Sequence, residues 1–293
     1  MKAKQLFVQQ SIESSFSVRQ DWQSNVNNRW HYHKEVELIC FHKGTGMQFV
    51  GDSIKRFVAG DVVMVGTNLP HYWRYDDGLA DENARLPFST VVHFQADFLG
   101  EKFMQLPESK GIAWLIERSK RGLAFRGKQA DRAIRQLSAL SQNEGIYRLA
   151  ALLQCLEGLA AVKEASFLSS LGFRYHPNSL GADRINKVYA YSFRHFDKPI
   201  KLEEVAGMVS LSRASFCRFF KGYTGKSYSR FLCELRIGHA CRQLLEYPDY
   251  PIKQICYASG FRNFTSFHEA FKTITGMTPR AYQAYHGVAG AAV

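Results

Sequence analysis

Along the first hundred residues, apolar and polar positions alternate in short runs. VELICFH (36–42), MQFVG (47–51), DVVMVG (61–66) and FSTVVHF (88–94) are rich in β-branched and aromatic residues. They are separated by the turn formers Gly44-Thr45-Gly46, Gly51-Asp52, Gly60-Asp61 and Asp76-Asp77-Gly78. Short strands at roughly 10-residue spacing predict a small sandwich or barrel over residues 1–105. The texture changes after residue 107. Ile134, Leu137 and Leu140, then Leu149, Leu152, Leu153 and Leu156, recur at helical spacing. With GIAWLIERSK (111–120) they predict two or three amphipathic helices over 107–170. These helices are expected to bury their apolar stripes on the barrel. Trp114 and the Leu149–Leu156 stripe are also the candidate contact with a second copy of the chain. FRYHPNSLGAD (173–183) carries Pro177 and Gly181 among polar residues and reads as a linker. From Arg184 onward the pattern is almost entirely helical. The expectation is a two-domain α+β protein: residues 1–172, the linker 173–183, and an all-α domain over 184–293.

The helical part repeats itself. FFKGYTGKS (219–227) returns 51 residues later as AFKTITGMT (270–278). Upstream, Val205-Ala206 with Ser210-Leu211 returns 50 residues later as Ile255-Cys256 with Gly260-Phe261. The change of offset by one places a single insertion in the second turn. Each copy reads as helix, sharp turn, helix. In the first, Ser212 is placed to cap the second helix, and Phe216, Phe219 and Phe220 form its inner face. In the second, Gly260 permits the turn, Asn263 or Thr265 is placed to cap, and Phe267, Ala270, Phe271 and Ile274 face inward. RFLCELRIGHACRQLLEY (230–247) joins the copies as one long helix that ends before Pro248. The remaining positions of each second helix are polar and partly basic. They are Ser212, Arg213, Ala214, Cys217, Arg218 and Lys221 in the first copy, and Arg262, Asn263, Thr265, Ser266, His268, Glu269 and Lys272 in the second. A polar helix held out from a compact support fits the major groove of DNA, where Arg pairs with guanine and Asn with adenine. Two such units on a rigid connecting helix would read successive groove segments about 34 Å apart.

Charge agrees with this reading. From Asp183 to the end there are 16 Lys and Arg against 8 Asp and Glu, while the first 182 residues hold 22 against 18. The C-terminal third therefore carries two-thirds of the net +12, which points to an anionic partner there.

In order, spacing and both turns, VAGMVSLSRASFCRFFK, LRIGHACRQLL and IKQICYASGFRNFTSFHEAFKTITGMTPRAY resemble the DNA-binding domain of the AraC/XylS family of bacterial transcription regulators. The resemblance spans residues 184–282, about a third of the chain. It implies double-stranded promoter DNA as a partner, a small-molecule effector, a homodimer, contacts with RNA polymerase and transcription activation. By position it places Ala214, Cys217 and Arg218 at base contacts of the first recognition helix, and Phe264, Thr265 and Glu269 at those of the second. Ala214 and Cys217 are poor hydrogen-bond partners for a base, and Glu269 stands where a basic residue is common. These residues therefore do not spell an operator sequence.

The second constellation lies in the N-terminal part. WHYHKEVEL (30–38) sets two histidines and two glutamates in nine positions. Alternation along a strand puts His31, His33 and Glu37 on one face and Val36, Leu38 and Cys40 on the other. His-x-His-x3-Glu-x6-Gly, followed by Gly60-Asp61 and Leu69-Pro70-His71, resembles the two motifs of the cupin barrel. That resemblance implies His31, His33, Glu37 and His71 as ligands of a divalent Zn, Fe, Mn or Ni ion. Three readings stay open: a metal site, a metal-free polar pocket for a small organic ligand such as a sugar, and structural histidines. In the second, Trp30, His31, His33, Glu37, His71, Tyr72, Trp73, Arg74 and His93, with Phe94, line the pocket and hydrogen-bond or stack on the ligand. A metal-dependent cupin enzyme or a metal-sensing regulator is the rival to an effector-controlled regulator. A catalytic barrel gains nothing from a fused double helix-turn-helix, so a non-enzymatic sensor is expected. The six cysteines hold no close pair, no signal-like segment opens the chain and no run of 18 apolar residues occurs. These features read as reduced thiols in a cytoplasmic protein without a membrane span.

Overall fold

The computed structural model describes residues 4–8, 14–22, 30–75, 87–163, 165–171, 173 and 180–289. They divide into two compact units, one within 3–177 and one from 178 onward. Among the described residues no helix is long and apolar enough to cross a membrane.

The first unit is built on two sheets. Its strands are β1 (Lys4–Gln5), β2 (Phe16–Asp21), β3 (His31–Tyr32), β4 (Val36–Lys43), β5 (Gly46–Val50), β6 (Ser53–Phe57), β7 (Val62–Val65), β8 (His71–Tyr75), β9 (Phe88–Phe94), β10 (Leu123–Phe125) and β11 (Ser166–Phe167). One sheet runs β1-β3-β8-β5-β6 and the other β11-β10-β7-β4-β9-β2. β1 pairs with β3 in parallel. The other described pairings are antiparallel. The helices that follow the strands or lie between them are α1 (Glu101–Met104), a 3-10 turn at Pro107–Ser109, α2 (Lys110–Ser119), α3 (Lys128–Ala139) and α4 (Gly145–Ala160).

Alternation on β4 decides the layering. Val36, Leu38 and Cys40 join Met64, Val92 and Phe94 in one core with Leu115, Leu137, Leu152 and Leu156 of the helices. Ile39 and Phe41, on the other face, join Val63, Val65 and Val91 and meet Val50, Phe57, Trp73 and Tyr75 of the opposite sheet. The six-stranded sheet is thus covered on both faces, which is why β4 reads VELICF with little polar relief. Glu37 falls on the interior face with Ile39 and Phe41.

Three expectations change. The barrel does not close by residue 105, because Leu123–Phe125 pairs with β7 and Ser166–Phe167 extends the edge. Strands of two or three residues are too short to display a period. Leu152 and Leu156 are 0% exposed in the sheet–helix core, so that stripe is used within the chain, while Trp114 is 56% exposed. Finally, the expected linker is partly helical, since α5 (Leu180–His195) begins inside it. Residues 174–179 lie outside the described segments.

The second unit continues with α6 (Leu202–Met208), α7 (Arg213–Thr224), α8 (Tyr228–Glu246), α9 (Ile252–Ala258), α10 (Phe264–Thr275) and α11 (Pro279–Ala289). The repeat of sequence is a repeat of structure. α7 and α10 have 12 residues each, and the turns before them span 209–212 and 259–263, one residue longer in the second. Ser212 Oγ accepts from the Ser215 N–H at 3.3 Å and Asn263 Oδ1 from the Ser266 N–H at 3.0 Å, so both helices start on a side-chain cap. Both end on a left-handed glycine, Gly225 and Gly276. Thr224 and Thr275 repeat the same bonds just before it, donating to the carbonyls of Phe220 and Phe271 at 2.8 Å. Phe216, Phe220, Phe267 and Phe271 are fully buried, whereas Phe219 is half-buried against Tyr223.

Candidate functional site

On the helical unit, every proposed reading position except His268 is exposed. Arg213, Ala214, Cys217, Arg218 and Lys221 stand out from α7, and Arg262, Thr265, Ser266, Glu269 and Lys272 stand on or beside α10. The helical period produces this, because Phe216 and Phe220, then Phe267 and Phe271, take the inward positions. Ser212 and Asn263 are exposed but committed, since their side-chain oxygens cap the helices. A capping Asn263 keeps its amide N–H group for a base or phosphate and loses the two-sided pairing with adenine. Arg213 pairs with Glu203 of α6 at 3.0 Å across a solvent-exposed gap, a contact that contributes little. His268 turns partly inward against Phe264 and Phe267. Its Nε2 is shielded and has no hydrogen-bond partner among the described residues, so it does not belong to the outward face.

In the barrel, His31 opens β3, His33 follows in the break before β4, Glu37 lies on β4, His71 and Trp73 on β8 and His93 on β9. All six are buried. The chain from 31 to 37 is therefore two strands with a bend at 33–35, and the bend brings His33 round to Glu37. The register holds the rest: His31 lies opposite His71, and Glu37 opposite His93.

Glu37 is the centre, and its side chain is 0% exposed. Its Oε2 lies 2.9 Å from His93 Nε2, 3.3 Å from His33 Nε2 and 3.4 Å from His71 Nε2. Its Oε1 accepts the Trp73 indole N–H at 2.9 Å. Burial alone would raise the Glu37 carboxyl, but the imidazoles of His71, His33 and His93 outweigh it and hold the group well below the usual carboxylate range. The three imidazoles thus favour the ionised form of Glu37 inside a protein core.

The outer nitrogens of two histidines are fixed. His33 Nδ1 lies 2.9 Å from the Glu35 carbonyl, and His71 Nδ1 lies 2.8 Å from the Leu69 carbonyl. A carbonyl only accepts, so each Nδ1 carries a hydrogen, and in the neutral ring each Nε2 then offers a lone pair to the centre. In the neutral ring that lone pair faces Glu37 Oε2 and suits a cation between them, whereas in the imidazolium the Nε2–H donates to the carboxylate directly. Ligating histidines are commonly oriented in this way, by an outer N–H donated to a carbonyl. One ligand atom from each of His31, His33, Glu37 and His71 lies within 4.8 Å of the others. The donor set and its orientation thus fit a divalent transition metal.

Other pocket residues separate from this group. Tyr72 and Arg74 alternate to the opposite face of β8 from His71 and Trp73, and Tyr72 stacks on Phe49 at 5.0 Å. Phe94 points away from His93 into the sheet–helix core. Trp30 is buried just ahead of β3. Trp73, expected to hydrogen-bond or stack on a ligand, holds Glu37 instead. Glu35 and Leu69 enter the group through backbone carbonyls, which no pattern of side chains announces, and the Glu35 carboxylate stands 3.8 Å from His33 Nδ1.

A helix-turn-helix domain family matches residues 205–285. The transcriptional activator RhaS of Enterobacter sp. (strain 638) is 25% identical over 255 residues, 85% of either chain. Among solved structures, the DNA-binding domain of the global transcriptional factor AdpA, in complex with a target DNA, is 26% identical with a TM-score of 0.35. It covers 38% of this chain and 98% of that one. ToxT of Vibrio cholerae is 13% identical with a TM-score of 0.36, covering 92% of this chain and 98% of that one. Taken with the repeated units, the family match makes residues 205–285 a helix-turn-helix DNA-binding domain, and over most of its length the chain is similar to a transcriptional activator.

Proposed function

We propose that the chain is an activator controlled by a small effector, and that its barrel holds a divalent transition metal at His31, His33, Glu37 and His71. The observation that carries the metal is the fixed orientation of His33 and His71, whose Nδ1–H groups are engaged by carbonyls and whose Nε2 atoms converge on a buried carboxylate. The metal, when bound, supplies a Lewis-acidic position for an oxygen or nitrogen of the effector, or is itself the signal. The similarity to RhaS, named a transcriptional activator, supports activation. DNA is read by the exposed faces of α7 and α10, with Arg218, Lys221, Arg262 and Lys272 as the basic contacts. The chain works as a homodimer that meets RNA polymerase at promoters. Exposed Trp114 on α2 and Ile146 and Tyr147 on α4 support a contact on the helical layer. Pairing two DNA-binding domains raises operator affinity through effective concentration. The effector must favour one arrangement of those domains, because equal binding to both switches nothing.

Elemental mass spectrometry of untagged protein purified without chelator tests the metal, beside a His31→Ala/His33→Ala variant. About one metal per chain, lost in the variant, is expected from a four-ligand site. No metal in either protein overturns it and returns the group to hydrogen bonding with an organic ligand such as a sugar. A thermal-shift screen would then identify that ligand.

A further inference from the structure

Two helices read one duplex together only if their mutual spacing is fixed. We propose that Arg236 is the positioning residue that sets this spacing. Arg236 lies on α8, half-buried, between the two helix-turn-helix units. Its Nε donates to the Phe196 carbonyl at 2.8 Å and its Nη2 to the Lys198 carbonyl at 2.9 Å. Both acceptors belong to the connection between α5 and α6, the chain that leads into the first unit. The same guanidinium lies 5.9 Å from the ring of Phe261, in the turn of the second unit.

Gly260 closes the contact from the other side. It sits at φ +82°, and a Cβ there would stand 2.4 Å from the Phe196 carbonyl oxygen and 3.0 Å from Arg236 Nε. Only glycine allows both the conformation and the approach. His239, three residues along α8, adds a hydrogen bond between its Nδ1 and Ser259 Oγ at 3.1 Å and packs its ring on Phe196 at 4.9 Å. The entry to the first unit and the turn of the second therefore meet at one side chain.

A planar fork bound to two carbonyls fixes direction as well as distance, and a lysine in its place keeps one point of attachment. Because the 196–201 connection carries α6 and α7, releasing it lets α7 rotate relative to α10. A slip of one base pair turns the target by roughly 34°, so small rotations decide whether both helices meet their grooves. This inference rests on the DNA-binding domain and is independent of the barrel.

The test uses the full chain and a one-chain site selected from random duplex DNA. Binding is measured to that site, to the site with two base pairs added between its halves, and to one half alone. Wild-type protein is expected to lose about tenfold or more on the lengthened site, because its two contacts no longer act together. Arg236→Gln and Gly260→Ala should bind the half site within about twofold of wild type, while their penalty for the longer spacer falls to about threefold or less. Arg236→Lys should fall between. Three results overturn the proposal: spacer-insensitive wild-type binding, unchanged spacer discrimination in both variants, or half-site binding lost in step with the full site. The last would make Arg236 a residue of general stability.

Discussion

The barrel cluster and the proposed DNA-reading face use polar side chains in opposite ways. In the barrel, His33, His71, His93, Trp73 and Glu37 are buried and turned on one another, within 2.9–3.4 Å of a single carboxylate. On and beside α7 and α10, Arg218, Lys221, Arg262 and Lys272 stand exposed, while Ser212 and Asn263 cap the helix starts and Thr224 and Thr275 bond back at their ends. Burial makes the first site a matter of position, since a displaced nitrogen leaves a charge without compensation. Exposure makes the second a matter of inventory. There the scaffold supplies the face, and each side chain supplies a separable contribution to binding.

That contrast is open to mutation, beginning where burial is deepest. Leu152→Asp places an unpaired charge in the sheet–helix core and should cost about 4 kcal/mol or more. Thermal unfolding should show loss of the barrel; a stable, folded monomer by light scattering would instead return Leu152 to an interface. Phe216→Ala and Phe267→Ala each remove a fully buried ring from equivalent places in the two repeats, and each should cost about 3–5 kcal/mol. Widely unequal losses in denaturant titrations would break the equivalence of the repeats.

Trp73→Phe keeps the ring and removes the N–H that holds Glu37. It should weaken metal binding about 10–100-fold, read by competition with a chelating dye, with near-ultraviolet circular dichroism confirming a folded barrel. Unchanged affinity would show that Trp73 does not orient the carboxylate. On the exposed face, Arg218→Ala should cost about 1–3 kcal/mol on the specific site if it pairs with guanine, whereas Lys221→Ala should weaken all sequences alike. Gel shifts at fixed salt distinguish the two, and a uniform loss for Arg218→Ala would reassign it to phosphate. Smallest of all, Asn263→Ala removes a cap and should lower stability by about 1 kcal/mol. A larger loss of DNA binding than of stability would show that its amide also touches DNA.

The sequence by itself determined the helical domain almost entirely. Offsets of 51 and 50 residues located the insertion in the second turn, and the inward phenylalanines follow from local period. Both caps were legible because a helix start needs a side-chain acceptor within three residues, which is a local requirement. The barrel was legible in most of its strands, and His31, His33, Glu37 and His71 were singled out by their motif resemblance, although the bend at 33–35 interrupts the alternation expected to align His33 with Glu37. It was not legible in its partners. His93 reaches Glu37 through a cross-strand register, and Trp73 reaches it from 36 residues away on the opposing sheet. Leu69 contributes its carbonyl, and Glu35 its carbonyl together with a carboxylate 3.8 Å from the same His33 Nδ1. Arg74 and Phe94 were adjacent in sequence to site residues yet alternate away from them. The pairing of β10 with β7, the burial of Leu152 and Leu156 and the clamp at Arg236 share the same origin. Each depends on which distant segment arrives alongside, and periodicity fixes the face a residue presents without fixing what packs against it.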